Sequence, residues 1–241
     1  MLVKFAGGYL FLRFIDLSGK FCYNFIDLIG KGVMTLSEIN TNDPKIQRII
    51  NAALQEFSSR GYDEASTNRI AKAAEISKAL MFHYVKSKED LFLFLLNYCR
   101  KTIDRNYLNK MDLQEKDLFK RLLQSYSLQI ELMKRNPWIF DFTNLSFATK
   151  SETINQKLAE MAAQEQSVCA EDLFRSIDST KFRTGLNVER CKQLILWGNI
   201  GFTNEILEEL KHTDYEQIDY QAISDRLSQY LVDLQMVFYG E

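Results

Sequence analysis

Proline is almost missing: only Pro44 and Pro137 occur in 241 residues, and only five of the ten glycines lie beyond residue 33. Long helices therefore meet few interruptions after that point. Histidine is scarce too, with only His83 and His212, and the four cysteines (Cys22, Cys99, Cys169, Cys191) stand far apart. No CxxC or Cys/His cluster results, so no metal or cofactor is expected. Buried free thiols in a reducing cytoplasm are the simplest reading, with redox sensing or intermolecular disulfides as the alternative. No GxSxG, HExxH, P-loop or strand-preceded GxGxxG is found, and no catalytic residues are assigned. No apolar run is long enough to span a membrane.

What is present is an even mixture: 46% hydrophobic and 26% charged residues, the balance of a globular protein. The net charge of −2 is unevenly spread. Residues 34–110 hold 12 basic and 9 acidic residues, whereas 111–241 hold 14 and 21. A mildly basic head on an acidic body agrees with a polyanionic partner for the head.

Residues 1–33 differ from the remainder. They are rich in Phe, Tyr, Leu and Ile, but Arg13, Asp16, Lys20 and Asp27 interrupt every apolar run, and no helical or alternating period persists. They are read as preceding a true start at Met34. Gly30-Lys31-Gly32-Val33 is what translation of a purine-rich ribosome-binding site would give. A genuine extra arm or membrane-touching segment is the other reading.

Helical periodicity begins after Asp43-Pro44, with Ile46, Ile49, Ile50, Ala53, Leu54 and Phe57, and is closed by Gly61. Ser66-Thr67 can cap a second helix from Asn68 to Ala74 that buries Ile70 and Ala74. After a turn at Glu75-Ile76, Ser77 can cap a third. Met81 and Val85 then face inward, leaving Lys78, Ala79, Leu80, Phe82 and His83 outward, a mixed basic, apolar and aromatic face suited to a DNA groove. Ser87 and Asp90 are spaced like a capping box for a fourth helix, which Leu91, Phe92, Leu95, Leu96, Cys99 and Ile103 continue. Helix, helix, short turn, helix is the helix-turn-helix layout.

The stretch from Ile46 to Leu91 resembles the DNA-binding domain of TetR-family transcription regulators. The residues that carry the likeness are Ala52-Ala53-Leu54, Phe57, Arg60-Gly61-Tyr62, Thr67, Ile70-Ala71, Ala74, Ile76-Ser77-Lys78, His83-Tyr84 and Ser87-Lys88-Glu89-Asp90-Leu91. They cover about a fifth of the chain. Two departures stand out: Glu75 replaces the family's usual Gly in the turn, and Phe82 its usual Tyr. The resemblance implies an all-α protein, with a helix-turn-helix domain over 34–90 and a helical ligand-binding and dimerisation domain over 91–241. It implies a cytoplasmic regulator, most often a repressor, that binds a double-stranded operator as a homodimer and answers to a small-molecule effector. A helical interaction protein of the same fold without operator binding is the alternative. Candidate DNA contacts are Thr67, Asn68, Lys78, Ala79, Leu80, Phe82, His83, Tyr84 and Lys88. Thr67, Tyr84 and Lys88 resemble the family's phosphate contacts, and Lys78, Ala79 and Leu80 its base readers.

The remainder reads as helices over 117–134, 152–177, 188–210 and 218–239, with an aromatic segment after Pro137 and a loop over 178–187. Tyr126, Met133, Trp138, Phe140, Phe142, Phe147, Cys169 and Trp197 are candidates for an apolar effector cavity, with Asn144 as a polar anchor. Leu194, Gly198, Phe202, Leu227, Leu231 and Leu234 are candidates for a four-helix dimer interface formed by the last two helices. Plain core packing within the chain competes with both assignments.

Overall fold

A computed structural model describes residues 40–143, 149–163, 173–210 and 213–240 of the chain. The expectations for residues 1–33, and for Asn144, Phe147 and Cys169, lie outside the described residues. The protein is all-α, as the sequence predicts. Its helices are α1 (Pro44–Glu64), α2 (Thr67–Ala73), α3 (Lys78–Tyr84), α4 (Lys88–Asn106), α5 (Leu118–Arg135), α6 (Ile139–Thr143), α7 (Glu152–Ala163), α8 (Val188–Leu210) and α9 (Tyr220–Phe238). Among the described residues the only β-type pairing outside helices is one antiparallel bridge between Phe182 and Tyr239. No helix among them is long and apolar enough to cross a membrane.

Two compact units alternate along the chain. Described residues 40–103 and 138–163 form one, and 104–137, 173–210 and 213–240 the other. The unit holding the helix-turn-helix thus includes most of α4, together with α6 and α7, and is larger than the motif at 34–90.

Its helix ends follow from local chemistry. Asp43 caps α1 by accepting from Lys45 N at 2.8 Å, with Pro44 in the first turn where its missing N–H costs nothing. Gly61 does not end α1 as the periodicity suggests. It sits at φ 70°, ψ 176° and kinks the helix, and a last turn continues to Glu64. Ser66 stands at the N-cap of α2 without a side-chain cap, and its own N–H donates to Glu56 Oε1 at 2.8 Å. Ser77 caps α3 through Leu80 N at 3.1 Å. At the start of α4, Asp90 N donates to Ser87 Oγ at 3.0 Å, and that hydroxyl in turn donates to Asp90 Oδ2 at 2.9 Å. Asp90 is too short for the usual reach back to the cap's backbone, so the pair closes through the hydroxyl.

Ile49, Ile50, Ala53, Leu54 and Phe57 of α1, Ile70 and Ala74 around α2, and Met81 and Val85 around α3 are buried with Leu91, Phe92 and Leu95 of α4. Phe57, Phe92 and Phe142 form an aromatic cluster with centroids 5.1–6.2 Å apart, which seats α6 against α1. Asp63 accepts from Thr149 Oγ1 at 2.9 Å and Lys150 N at 3.0 Å, fixing the approach to α7 on the end of α1.

In the other unit α9 packs along α5. Asp117 caps α5 through Phe119 N and Lys120 N and pairs with Lys181 Nζ at 2.7 Å. Burial pushes its carboxyl up, but the Lys181 ammonium and the two backbone donors outweigh this and hold it below the ordinary range. Arg121, only 1% exposed, donates to the carbonyls of Leu113, Glu115, Leu173 and Arg175. Buried Cys99, whose thiol is pushed up by desolvation, and buried Cys191 are free thiols.

Candidate nucleic-acid interface

The short helix α3 stands on Met81, which is fully buried, and Val85, 6% exposed, with α2 packed beside it. Anchoring by these inward positions leaves the other faces to solvent. Lys78, Ala79 and His83 are exposed, and Leu80, Phe82 and Tyr84 are half-buried. At the start of α2, Asn68 is exposed and Thr67 half-buried. None of the nine candidate DNA contacts belongs to the core. Lys78 Nζ lies 5.7 Å from the Phe82 ring centroid, and His83 and Tyr84 meet edge to face at 5.5 Å. A surface helix carrying a lysine, a small apolar residue and two aromatic rings can donate to guanine O6 and N7 and pack on a thymine methyl. Its N-terminal turn, which carries Lys78 and Ala79, is the end that enters a major groove most deeply in helix-turn-helix proteins.

The family model described as bacterial regulatory proteins, tetR family, matches residues 49–95, which contain this whole arrangement. This segment is a TetR-family DNA-binding domain. The chain is 24% identical over 195 residues to the fatty acid metabolism regulator protein of Bacillus subtilis (strain 168), spanning 78% of this chain and 94% of that one. Over 119 residues it is 27% identical to the regulator QacR of Staphylococcus aureus (strain Mu50 / ATCC 700699), spanning 47% of this chain and 61% of that one. A solved TetR family regulator from Chloroflexus aurantiacus J-10-FL shares the fold. Its TM-score is 0.50 at 17% identity, covering 86% of this chain and 98% of that one.

Within this TetR-family head, Glu75 occupies the tight turn at φ 56°. The left-handed conformation that Gly ordinarily supplies is therefore retained with a side chain in place, which costs about 1–3 kcal/mol. Glu75→Gly should remove that strain, offset by the ~0.4–1 kcal/mol that Gly adds to unfolded-chain entropy. The expected net gain is roughly 1 kcal/mol, measured as a rise in thermal midpoint. Glu75→Gln keeps the strain and should leave the midpoint unchanged.

Lys88, expected as a phosphate contact, is engaged within the head. Its Nζ donates to three backbone carbonyls, those of Tyr62 at 2.7 Å, Asp63 at 3.2 Å and Ala65 at 3.2 Å, and lies 4.6 Å from the Tyr62 ring centroid. Beside it, the Glu56 carboxylate gathers Ser66 N at 2.8 Å and Arg69 Nε at 2.8 Å, while Arg69 Nη2 also donates to Glu64 O at 2.8 Å. Sequence reasoning missed Glu56 and Arg69. Their only sequence signal is opposite charge thirteen residues apart across a turn, which no helical spacing rule detects.

The cavity candidates among the described residues fall in both units. Phe142 is fully buried in the Phe57–Phe92 cluster and serves as head core, as does buried Phe140 in the same unit. Trp138 is half-buried in that unit. Trp197 is 57% exposed. Tyr126 and Met133 are buried on α5. Tyr126 donates to Asn199 Oδ1 at 2.5 Å, and desolvation raises its phenol. Near it run buried polar groups. Gln129 Nε2 donates to Ser125 Oγ at 2.9 Å, and Ser125 Oγ lies 2.8 Å from Tyr107 Oη. Polar residues four apart at core positions, 125 and 129 on α5 and 199 and 203 on α8, are the pattern that marks them.

The interface candidates also divide. Leu227 and Leu231, 1% and 3% exposed, are core of their own chain. Gly198 receives the Tyr230 hydroxyl, which a Cβ at that position would meet at 2.5 Å, and Phe202 stacks on the same Tyr230 ring at 4.2 Å. These two residues serve the α8–α9 contact within the chain. Leu234 is half-buried, and Leu194, 52% exposed, keeps its place as a surface residue. Trp197 and Gly201 share its face of α8 at helical spacing, and Gly201 has open space above it. On α9 Val232, Met236 and Val237 are exposed apolar residues as well.

Proposed function

We propose that this TetR-family protein is a transcriptional repressor that binds an inverted-repeat operator as a homodimer and is released by a small apolar effector. The observation that carries the operator-binding part is the solvent-facing surface of α3, with Lys78, Ala79 and His83 exposed around an inward Met81. A surface of that composition gives no advantage to a helix that meets only water. It also favours operator binding over an interaction protein that has lost it. In the proposed division of labour, residues 34–90 bind DNA and 91–241 bind effector and partner.

Exposed Leu194, Trp197, Val232, Met236 and Val237 support dimerisation through α8 and α9, since large apolar side chains gathered on a surface mark interfaces. A dimer holds two recognition helices about 34 Å apart, one turn of B-DNA. Effector binding lowers operator affinity by as much as it prefers a conformation with another spacing. A fatty-acid-derived effector is supported by the likeness to a fatty acid metabolism regulator over nearly that protein's full length. Tyr126 and Met133 remain the candidate lining residues.

Selection of duplexes from a random pool by the purified protein tests the reading, with an inverted repeat expected. Recovery of no preferred sequence would leave the interaction-protein reading. A long-chain acyl-CoA or free fatty acid should then dissociate the complex. On the recovered operator, Lys78→Ala should cost about 1–3 kcal/mol and relax preference at one base pair in each half-site. Equal loss on operator and scrambled duplex would mean that Lys78 meets phosphate instead.

A further inference from the structure

We infer that Lys88 is a positioning residue that ties the broken end of α1 to the start of α4, and that it makes no phosphate contact. This rests on the DNA-binding reading above. The cause lies in the backbone. Gly61 at φ 70° kinks α1, and after one more turn Ala65 is extended at φ −63°, ψ 139°. The carbonyls of residues 62 to 65 leave the helix together at its electronegative end. Two cations collect them. Lys88 Nζ takes Tyr62 O, Asp63 O and Ala65 O, and Arg69 Nη2 takes Glu64 O. An ammonium has three protons, and Lys88 spends one on each of three carbonyls. None remains for a phosphate oxygen unless the corner is given up. The Tyr62 ring, 4.6 Å away, adds a cation–π contact that holds the ammonium in the same place.

The position matters for binding because the tied segment leads directly into α2. Ser66 N is held by Glu56, and Thr67, a candidate phosphate contact, follows at the first position of the helix. Lys88 therefore fixes where Thr67 and Asn68 stand relative to α4, and acts on DNA through them.

The first test uses the wild-type protein without DNA. Acetylation by acetic anhydride should be at least tenfold slower at Lys88 than at exposed Lys78, with no further protection when a mixed-sequence duplex is added. A Lys88 as reactive as Lys78, and shielded only by DNA, overturns the inference. This arm stands whether or not a preferred operator is found. The second test compares Lys88→Met, which keeps the stem and removes the donors, with the wild type. Amide exchange over residues 62–70 in the DNA-free protein should quicken about tenfold or more, while the slope of log affinity against log salt on the same duplex stays unchanged. A phosphate contact would lower that slope by about 0.9. A slope lowered by that amount, or unchanged exchange in the variant, overturns the inference. If Lys88→Met does not fold, the acetylation rates decide.

Discussion

Trp197→Glu is expected to give a folded monomer, and Leu231→Glu an unfolded chain, although both residues lie on the two long C-terminal helices. The difference is in exposure. Trp197 is 57% exposed on α8, so a carboxylate placed there meets water in the isolated chain and becomes costly only when a second apolar surface covers it. Leu231 is 3% exposed on α9, where a carboxylate is buried without a partner at a cost of several kcal/mol. That is a large share of the 5–15 kcal/mol that typically holds a domain together. Sedimentation and circular dichroism separate the outcomes: helicity kept with half the mass for Trp197→Glu, helicity lost for Leu231→Glu. DNA binding reads the same change. A monomer engages one half-site, and loss of the linked second one removes about 10²–10⁴ in affinity. Leu194→Glu, on the same face as Trp197, should act alike. If Trp197→Glu and Leu194→Glu both stay dimeric, the partner surface is elsewhere.

The contrast between those two residues shows what could be read without coordinates. Periodicity located α8 and α9 because Cys191, Ile195 and Ile206, and Ile223, Leu227 and Leu231, recur on one face of each helix. It could not say which apolar residues face the chain's own core and which face away, because both helices carry apolar residues on more than one side. A tryptophan on such a helix reads as covered because large apolar residues usually are, yet Trp197 is among the exposed ones. The head was more legible. Caps at Asp43, Ser77 and Ser87 and the inward pair Met81 and Val85 all follow from rules that operate within a few residues. The partners of Lys88 were not legible, because they are carbonyls more than twenty residues earlier. Backbone acceptors carry no mark in the sequence, and the kink that gathers them depends on what Gly61 does in three dimensions.

Arg121 is the same lesson with a larger expected effect. It sits in the periodic pattern of α5 next to Leu122, where an arginine reads as the polar side of an amphipathic helix. Instead it is 1% exposed and donates to four carbonyls, of Leu113 and Glu115 before α5 and of Leu173 and Arg175 far along the chain. The turn that offers Arg175 O continues into Ser176 at φ 56°, a conformation that needs outside support. Arg121→Met keeps the stem and removes the donors, leaving the buried Leu173 carbonyl and the part-buried carbonyls of Leu113, Glu115 and Arg175 without them, at up to about 1–3 kcal/mol each. Some will find water, so the expected loss is about 3–5 kcal/mol, similar to breaking a buried charged network elsewhere. For a chain of this size that lowers the thermal midpoint by roughly 6–20 °C. Arg121→Lys should recover only part of it, since one ammonium cannot reach carbonyls on both sides that the guanidinium fork spans. Because the clamp joins segments of one unit, the DNA-facing helices should keep their affinity for a mixed-sequence duplex per folded molecule at low temperature. A midpoint within about 2 °C of the wild type would show that the carbonyls find other donors, and that Arg121 is no clamp.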